Sequence, residues 1–315
     1  MARRVLVAGG SGFLGRNLLL AAPGDWSVVT TFHRQVDLPA FLDAHGSREV
    51  RALACDLADT SKVERLAQTV GRAFDVCLFL SANTSVPLSV DDPRADLVAN
   101  AVTLLNTLAS FEIGHLVFLS SGAVYDGKRG AVGPSTRVSP TLPYAVSKLA
   151  AERYVEQASE VGRIGSHAVV RFFGAYGPFE PPRKIFTRLA VELGLERRTR
   201  FRLYGDGTNL VDAMYVDDAV RALSSVARDE GRRTVVDLAA GSPMTVAGLV
   251  DRAARCFLDR PVEIERKGVA HEAIRFRADP TPFRDLYGFA PVVPMDEGLL
   301  RLRDHLAAHR LRPSA

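Results

Sequence analysis

The chain has 315 residues, 47% of them hydrophobic and 24% charged, so it can bury a large core and is not a disordered polymer. No apolar run approaches the ~20 residues of a membrane span, and Cys55, Cys77 and Cys256 are too few and scattered for a disulfide framework or a metal site. The net charge of +4 rests mostly on arginines spread along the chain, which excludes a clustered nucleic-acid surface.

A strand pattern begins at Arg3 and leaves no room for a signal peptide, which predicts a cytoplasmic protein. The apolar run Val5–Ala8 leads at once into Gly9, Gly10, Gly12 and Gly15, then into the helical pattern Arg16–Ala21. Strand, glycine loop and helix is the context of a dinucleotide fingerprint. Two frames fit: Gly10, Gly12 and Gly15 as G-x-G-x-x-G, or Gly9, Gly12 and Gly15 as G-x-x-G-x-x-G. Either one omits Cβ atoms where the backbone meets a pyrophosphate. Either one also aims the first N–H groups of the helix, at Phe13, Leu14 and Gly15, toward its charge.

The second strand, Trp26–Phe32, ends in His33-Arg34, and the first acid beyond it is Asp37. An NAD site would carry Asp or Glu at that strand end for the ribose 2′-hydroxyl. A cation there favours the 2′-phosphate of NADP; NAD stands as the alternative, with Arg34 a solvent-facing loop residue. The third strand, Val50–Cys55, ends in Asp56-Leu57, and Asp56 can accept from an adenine amino group. Asp59-Thr60-Ser61 can cap a helix through Val63, Leu66 and Val70. The fourth strand, Val76–Leu80, gives way to Ser81-Ala82-Asn83, small residues that leave space for a nucleotide. A helix from Pro93 to Phe111 carries Asn100, and the strand Leu116–Leu119 runs into Ser120-Ser121-Gly122-Ala123-Val124-Tyr125. Tyr144 and Lys148, four residues apart, share a helix face. An ammonium beside a phenol lowers its pKa from about 10 and makes a usable acid–base couple, although the spacing alone also fits a solvated helix face.

Strands alternating with helices predict an α/β fold, a Rossmann-type doubly wound parallel sheet with ligands at the strands' carboxyl ends. Pro-rich Tyr176–Pro182 marks the exit into a smaller C-terminal α/β substrate-binding portion. The expected organisation is a dinucleotide-binding domain over 1–173, with 208–240 returning to it, and a mainly substrate-binding 174–315. Within the latter the pattern predicts a helix around Ile185–Leu193, an extended Phe201–Tyr204 and a helix to Val226 capped by Asp217 or Asp218. It also predicts a strand Thr234–Leu238 and a last helix Met295–Leu306. The dense cluster Glu196–Arg202 reads either as a solvated loop or as donors for a diphosphate.

These segments together resemble the extended short-chain dehydrogenase/reductases, the nucleotide-sugar epimerase/dehydratase/reductase group. The resemblance rests on Gly9-x-x-Gly12-x-x-Gly15, Asp56-Leu57, Ser120-Ser121-x-x-Val124-Tyr125, Tyr144-x-x-x-Lys148, Arg171-x-x-x-x-Tyr176-Gly177-Pro178 and Tyr215-Val216-Asp217-Asp218. It implies that Tyr144 is the acid–base, that Lys148 anchors the nicotinamide ribose and lowers the Tyr144 pKa, and that Ser121 hydrogen-bonds the reacting oxygen. Asn100 matches a structural helix Asn of the family. It implies a nicotinamide cofactor on Gly9, Gly12, Phe13, Leu14, Gly15, His33, Arg34, Asp56, Leu57, Ser81, Ala82 and Lys148, with a nucleotide sugar as substrate and a homodimer as the assembly. Asn83, Gly122, Arg188, Arg202 and Arg275 are candidate substrate contacts, and Arg277 belongs with them. Related 4,6-dehydratases and uronate decarboxylases carry an acid between the Ser/Thr and the Val-Tyr; Gly122-Ala123 fills that gap here, which argues against both chemistries. The expectation is a 4-ketoreductase using NADPH. The alternatives are a 4-epimerase working through a transient 4-keto intermediate, a reductase of a non-nucleotide ketone, and a non-catalytic cofactor sensor. Gly174 and Val211 stand where the family usually has Asn and often has Arg as diphosphate ligands, which bears against a uridine sugar in particular.

Overall fold

The computed structural model describes residues 2–47, 50–268 and 274–310. The chain divides into two units, the first comprising Met1–Asp126, Pro134–Phe172 and Val220–Leu238. The second comprises Gly127–Gly133, Phe173–Ala219 and Ala239–Ala315. The sequence had placed the boundary at 173 and the returning segment at 208–240. The return starts at Val220, and a short excursion at Gly127–Gly133 leaves the first unit.

Seven strands form the sheet of the first unit: β1 (Arg3–Ala8), β2 (Trp26–Phe32), β3 (Val50–Ala54), β4 (Ala73–Phe79), β5 (Glu112–Ser121), β6 (Ile164–Phe172) and β7 (Arg233–Leu238). Every pairing is parallel, in the order β7-β6-β5-β4-β1-β2-β3. The chain therefore winds outward from β1 to β3, crosses back, and winds the other way from β4. The switch falls between β1 and β4, where an open α/β sheet leaves its crevice. Four helices serve the argument below: α1 (Phe13–Leu20), α2 (Thr60–Val70), α3 (Thr103–Ser110) and α4 (Pro143–Glu160). Asp59 caps α2, accepting from the N–H groups of Ser61 at 3.0 Å and Lys62 at 3.2 Å. The apolar positions of α2 (Val63, Leu66, Ala67, Val70) meet Leu104 and Leu108 of α3 and Leu6, Cys77 and Phe79 of the sheet in one core. Each such side chain contributes about 1.5–3 kcal/mol on burial. Cys55 and Cys77 lie in that core, and burial pushes both thiols up, Cys55 to about 11. The helix expected over Pro93–Phe111 is interrupted: Pro93–Leu97 passes through a π-helical turn, Val98–Val102, into α3.

In the second unit, Arg200–Tyr204 pairs with Glu263–Lys267 and Arg129–Val132 pairs with Arg275–Ala278, both in parallel. Its centre is aromatic. Tyr176 is stacked on Phe186 with centroids 4.2 Å apart and meets Tyr215 edge-on at 5.7 Å. Gly174 has φ +140°, which an L-residue such as Asn adopts only with strain, and its carbonyl accepts from the N–H of Met214 at 3.1 Å. The helix Val216–Ala227 carries Asp217 and Asp218 inside its first turn, so neither is the cap that the sequence predicted. Asp218 is instead buried and accepts from the N–H groups of Val292 and Val293 at 3.0 and 2.9 Å. The helix at Ile185 is α-helical to Leu189 and π-helical over Ala190–Leu195, and the last helix runs Met295–Arg310.

Candidate active site

The glycine loop sits on the crevice side of β1. Gly9 has φ +92°, and a Cβ there would lie 2.8 Å from the N atom of Ser81. A Cβ on Gly15 would lie 2.5 Å from the carbonyl oxygen of Gly9, so the turn and the start of α1 are in direct contact. A Cβ on Gly12 would meet nothing nearer than 3.5 Å, so the chain itself does not demand this glycine. Gly10 packs the other way, against Thr30 of β2. The frame Gly9, Gly12, Gly15 therefore describes the loop, with Gly10 a packing residue. Gly12 is the N-cap of α1 and has no side chain to satisfy the first N–H groups, which belong to Phe13, Leu14 and Gly15. These residues fit a pyrophosphate: free donors, positive helix end and an open approach at Gly12. Arg16 was not foreseen. It is 9% exposed, donates from Nε to the Ser11 carbonyl at 3.0 Å, and grips both oxygens of Asp37 at 2.8 Å.

At the ends of β2 and β3, His33 Nε2 stands 3.6 Å from Asp56 Oδ2, and the N–H of Ala58 donates to Asp56 Oδ1 at 3.0 Å. Leu57 is buried and Arg34 exposed; Arg34 has no hydrogen bond or ion pair among the described residues. Ser81 and Ala82 are half-buried beside the glycine loop.

Ser121 ends β5, and its side chain acts on the phenol of Tyr144, on α4, lowering its pKa. The N–H of Ala123 donates to Ser121 Oγ at 3.1 Å and fixes that hydroxyl. Burial pushes the Tyr144 phenol up, the Ser121 side chain pulls it down, and the charge of Asp96 raises it. The expected depression by Lys148 is not among these influences. Lys148 is 2% exposed; its Nζ donates to the Leu119 carbonyl at 2.6 Å and stands 4.5 Å from the Phe118 ring centroid. Burial pulls the Lys148 pKa down to about 8, against the charges of Glu152 and Asp96.

Two buried polar clusters flank this couple. In one, Arg171 of β6 donates from Nη2 to Glu152 Oε2 at 2.8 Å and from Nη1 to the Tyr125 hydroxyl at 2.9 Å. The Tyr125 hydroxyl donates in turn to Asp237 Oδ1 at 2.9 Å, and Ser120 donates to Glu152. Burial pushes Asp237 up to about 6, and Tyr125 and Arg171 pull it back. In the other, Asp96 accepts from Asn83, Asn100 and Ser147. Asn83, expected at the substrate, gives its amide N–H groups to Asp96 at 2.7 Å and to the Ser85 carbonyl at 3.2 Å. Glu152 lies four positions beyond Lys148 and Asp96 four before Asn100, the helical spacings that would have marked them in the sequence.

The second unit's candidate cations lie apart from this set in the chain and are partly spent. Arg188 pairs with Glu192 at 2.9 Å and donates to the Arg202 carbonyl at 2.8 Å; Arg202 pairs with Glu265 at 3.3 Å. Arg275 and Arg277 are exposed on one strand, with Arg275 in register with Arg129. Gly122 is buried and Ala123 half-buried, and neither offers an acid. Among the described residues no cluster of His, Cys, Asp or Glu could hold a metal ion, and no helix is long and apolar enough to cross a membrane.

Three comparisons place this arrangement among known proteins. The profile of the NAD dependent epimerase/dehydratase family matches residues 5–238. The chain is 27% identical over 311 residues to the UDP-glucose 4-epimerase of Mycolicibacterium smegmatis, covering 95% of this chain and 96% of that one. It is 24% identical over 323 residues to the dTDP-glucose 4,6-dehydratase of Streptomyces niveus, covering 94% and 90%. Its fold matches that of MoeE5 in complex with UDP-glucose and NAD, with a TM-score of 0.82, 25% identity and coverage of 98% and 99%. From the winding of the sheet, the glycine loop and the family match together, the chain belongs to the NAD dependent epimerase/dehydratase family and is an extended short-chain dehydrogenase/reductase enzyme.

Proposed function

We propose that the chain is an NADP(H)-dependent reductase of a 4-keto sugar carried on a nucleotide. The observation that carries this reading is Gly122-Ala123, standing where a second acid would stand, beside one hydroxyl pair, Ser121 and Tyr144. One acid–base group suffices for a ketone that gains a hydride and a proton; elimination of water or loss of carbon dioxide needs a further one. On this reading the chain is not a dehydratase, although it is 24% identical to one. The nucleotide-sugar substrate class is supported by the names of the relatives and by the UDP-glucose bound to MoeE5.

Gly9, Gly12, Gly15 and the first turn of α1 would hold the cofactor's pyrophosphate, Asp56 its adenine, and Lys148 its nicotinamide ribose. Bound NADPH supplies the hydride. Ser121 Oγ, held by the Ala123 N–H, orients the ketone oxygen, and Tyr144 delivers its proton there. Arg34 supports NADP over NAD. It is an exposed cation at the end of β2, and the nearest acid after that strand, Asp37, is already engaged by Arg16 through both oxygens. A homodimer is supported by exposed apolar side chains on the first unit's helices: Leu97 at 45%, Val146 at 46% and Tyr154 at 45%.

A second reading, a 4-epimerase with retained NAD, is favoured by the Mycolicibacterium relative and by the NAD in MoeE5. Purified protein, NADPH and a panel of 4-keto nucleotide sugars separate the two. The reductase oxidises NADPH stoichiometrically with substrate. Interconversion of unmodified nucleotide sugars, with cofactor retained and none consumed, establishes the epimerase.

A further inference from the structure

We infer that Asp96 is a positioning residue for the acid–base couple, fixing the helix turn that bears Tyr144 and Lys148 and setting a buried carboxyl behind it. The inference rests on the reading of Tyr144 as the acid, and it is carried by three observations in the first unit.

Asp96 is 2% exposed, yet no cation pairs with it among the described residues. Its donors are neutral: the Asn83 amide at 2.7 Å and the Asn100 amide at 3.0 Å to Oδ1, and the Ser147 hydroxyl at 2.6 Å to Oδ2. A buried carboxyl bonded only by neutral donors acts on its neighbours through a low local dielectric.

The cradle is tied to the catalytic turn. Ser147 stands between Tyr144 and Lys148 on α4 and lies 2.9 Å from the Tyr144 carbonyl oxygen; Asn100 donates to Ser147 Oγ at 2.8 Å and accepts from the N–H of Asn83 at 2.9 Å. Asn100 reaches both partners from the π-helical turn Val98–Val102, a local widening that is often kept at functional positions. This gives the interruption of that helix a purpose.

The other buried carboxylate near Lys148 is already compensated. Glu152 pairs with Arg171, and behind that pair Tyr125 and Asp237 satisfy each other. On the helices ahead of α4, Asp91, Asp92 and Arg94 are exposed, where solvent screens them. Asp96 is thus the buried carboxyl near the couple that no cation pairs among the described residues, and its influence on Tyr144 and on Lys148 is to raise both pKa values. A resting phenol and ammonium is the state a ketone reduction needs at its start.

Asp96→Asn removes the charge and keeps the shape. Ultraviolet difference titration of tyrosinate, with Tyr144→Phe as the baseline, reads Tyr144 in the absence of any substrate. The Tyr144 ionisation is expected to move down by about half a unit or more, roughly threefold in ionised fraction at a given alkaline pH. In turnover, the alkaline limb of kcat/KM moves down with it while the low-pH plateau is retained, and Asp96→Glu restores the original limb. An unmoved titration with activity lowered equally at every pH means that Asp96 only holds the fold and overturns the inference. The titration needs no keto sugar, so it stands even if the proposed substrate is wrong, and loss of turnover with a shifted titration counts against the substrate reading alone. Circular dichroism of Asp96→Asn and Ser147→Ala guards against misfolding. Ser147→Ala, which cuts the tie and keeps the charge, is expected to lower kcat with a smaller shift of the limb; a larger shift than in Asp96→Asn also overturns it.

Discussion

Glu152 in the first unit and Glu180 in the second are both buried carboxylates, and the chain treats them differently. Glu152 is fully buried, paired with Arg171 and bonded by Ser120. Glu180 is 9% exposed and, among the described residues, its carboxyl meets only the N–H of Thr187 at 2.9 Å and its hydroxyl at 2.7 Å, with Lys184 acting at longer range. Burial therefore wins at Glu180 and pushes its pKa up to about 7. Buried charge in the first unit is built into a hydrogen-bonded network of Glu152, Arg171, Tyr125 and Asp237. In the second unit the interior is aromatic, Asp218 is held by backbone N–H groups, and Glu180 gives up its charge near neutrality. The difference separates a unit organised for electrostatics from one organised for packing.

The comparison breaks most sharply at Tyr144. Tyr144→Phe is expected to lower kcat by about 10²–10⁴-fold with cofactor binding retained, measured by steady-state kinetics beside a cofactor titration. A Phe variant within a few-fold of the parent would mean that the first unit's buried charges serve no chemistry and would support the cofactor-sensor reading.

Arg171→Leu leaves Glu152 buried and unpaired. A loss of about 3–5 kcal/mol in urea unfolding is expected, with much of it regained in the Arg171→Leu, Glu152→Leu double variant. Equal losses in both would show that the pair acts through packing and not through charge.

At Glu180 the sign runs the other way. The folded pKa lies above the usual 4.5, so the ionised form weakens the fold, and stability falls as pH rises toward about 7. Glu180→Gln is expected to be more stable than the parent by about 3 kcal/mol at pH 8 and indistinguishable from it near pH 4, read from urea curves at both pH values. A constant difference at both would erase the contrast with Glu152.

The smallest effect is at the end of β2. Arg34→Ala is expected to weaken NADPH binding by about tenfold and leave NADH unchanged. Equal affinities before and after the change would remove the support for NADP.

The contrast between the units also governs what the sequence reveals. The glycine loop, the strand ends and Tyr144-Lys148 are local patterns with a physical reason for their spacing, and the seven-stranded sheet places them on one edge. The choice between the Gly9 and Gly10 frames needed the sheet, since only the fold shows that Gly10 packs on Thr30. Asp96 and Glu152 carried a local sign in their four-residue spacing to Asn100 and Lys148, but the partners that complete their clusters are far off in the chain, as is that of Asp237: Ser147 is 51 residues from Asp96, and Tyr125 is 112 from Asp237. Asp217 and Asp218 misled because a helix-capping preference is local, and the distant backbone at Val292 and Val293 claimed Asp218 instead. Arginine-rich segments of the second unit read as anion donors, yet cross-strand partners such as Glu263 and Glu265 already engage Arg200 and Arg202.

The central claim is hydride transfer to carbon 4 with net consumption of NADPH, and isotope transfer tests it most directly. NADPH carrying deuterium at its transferable position is incubated with a 4-keto nucleotide sugar, and the product is analysed by mass spectrometry and proton resonance. One deuteron at carbon 4 of the sugar for each NADP formed is the predicted result. Undeuterated sugar interconverted at carbon 4, with the labelled NADPH unconsumed, would contradict it and establish the epimerase.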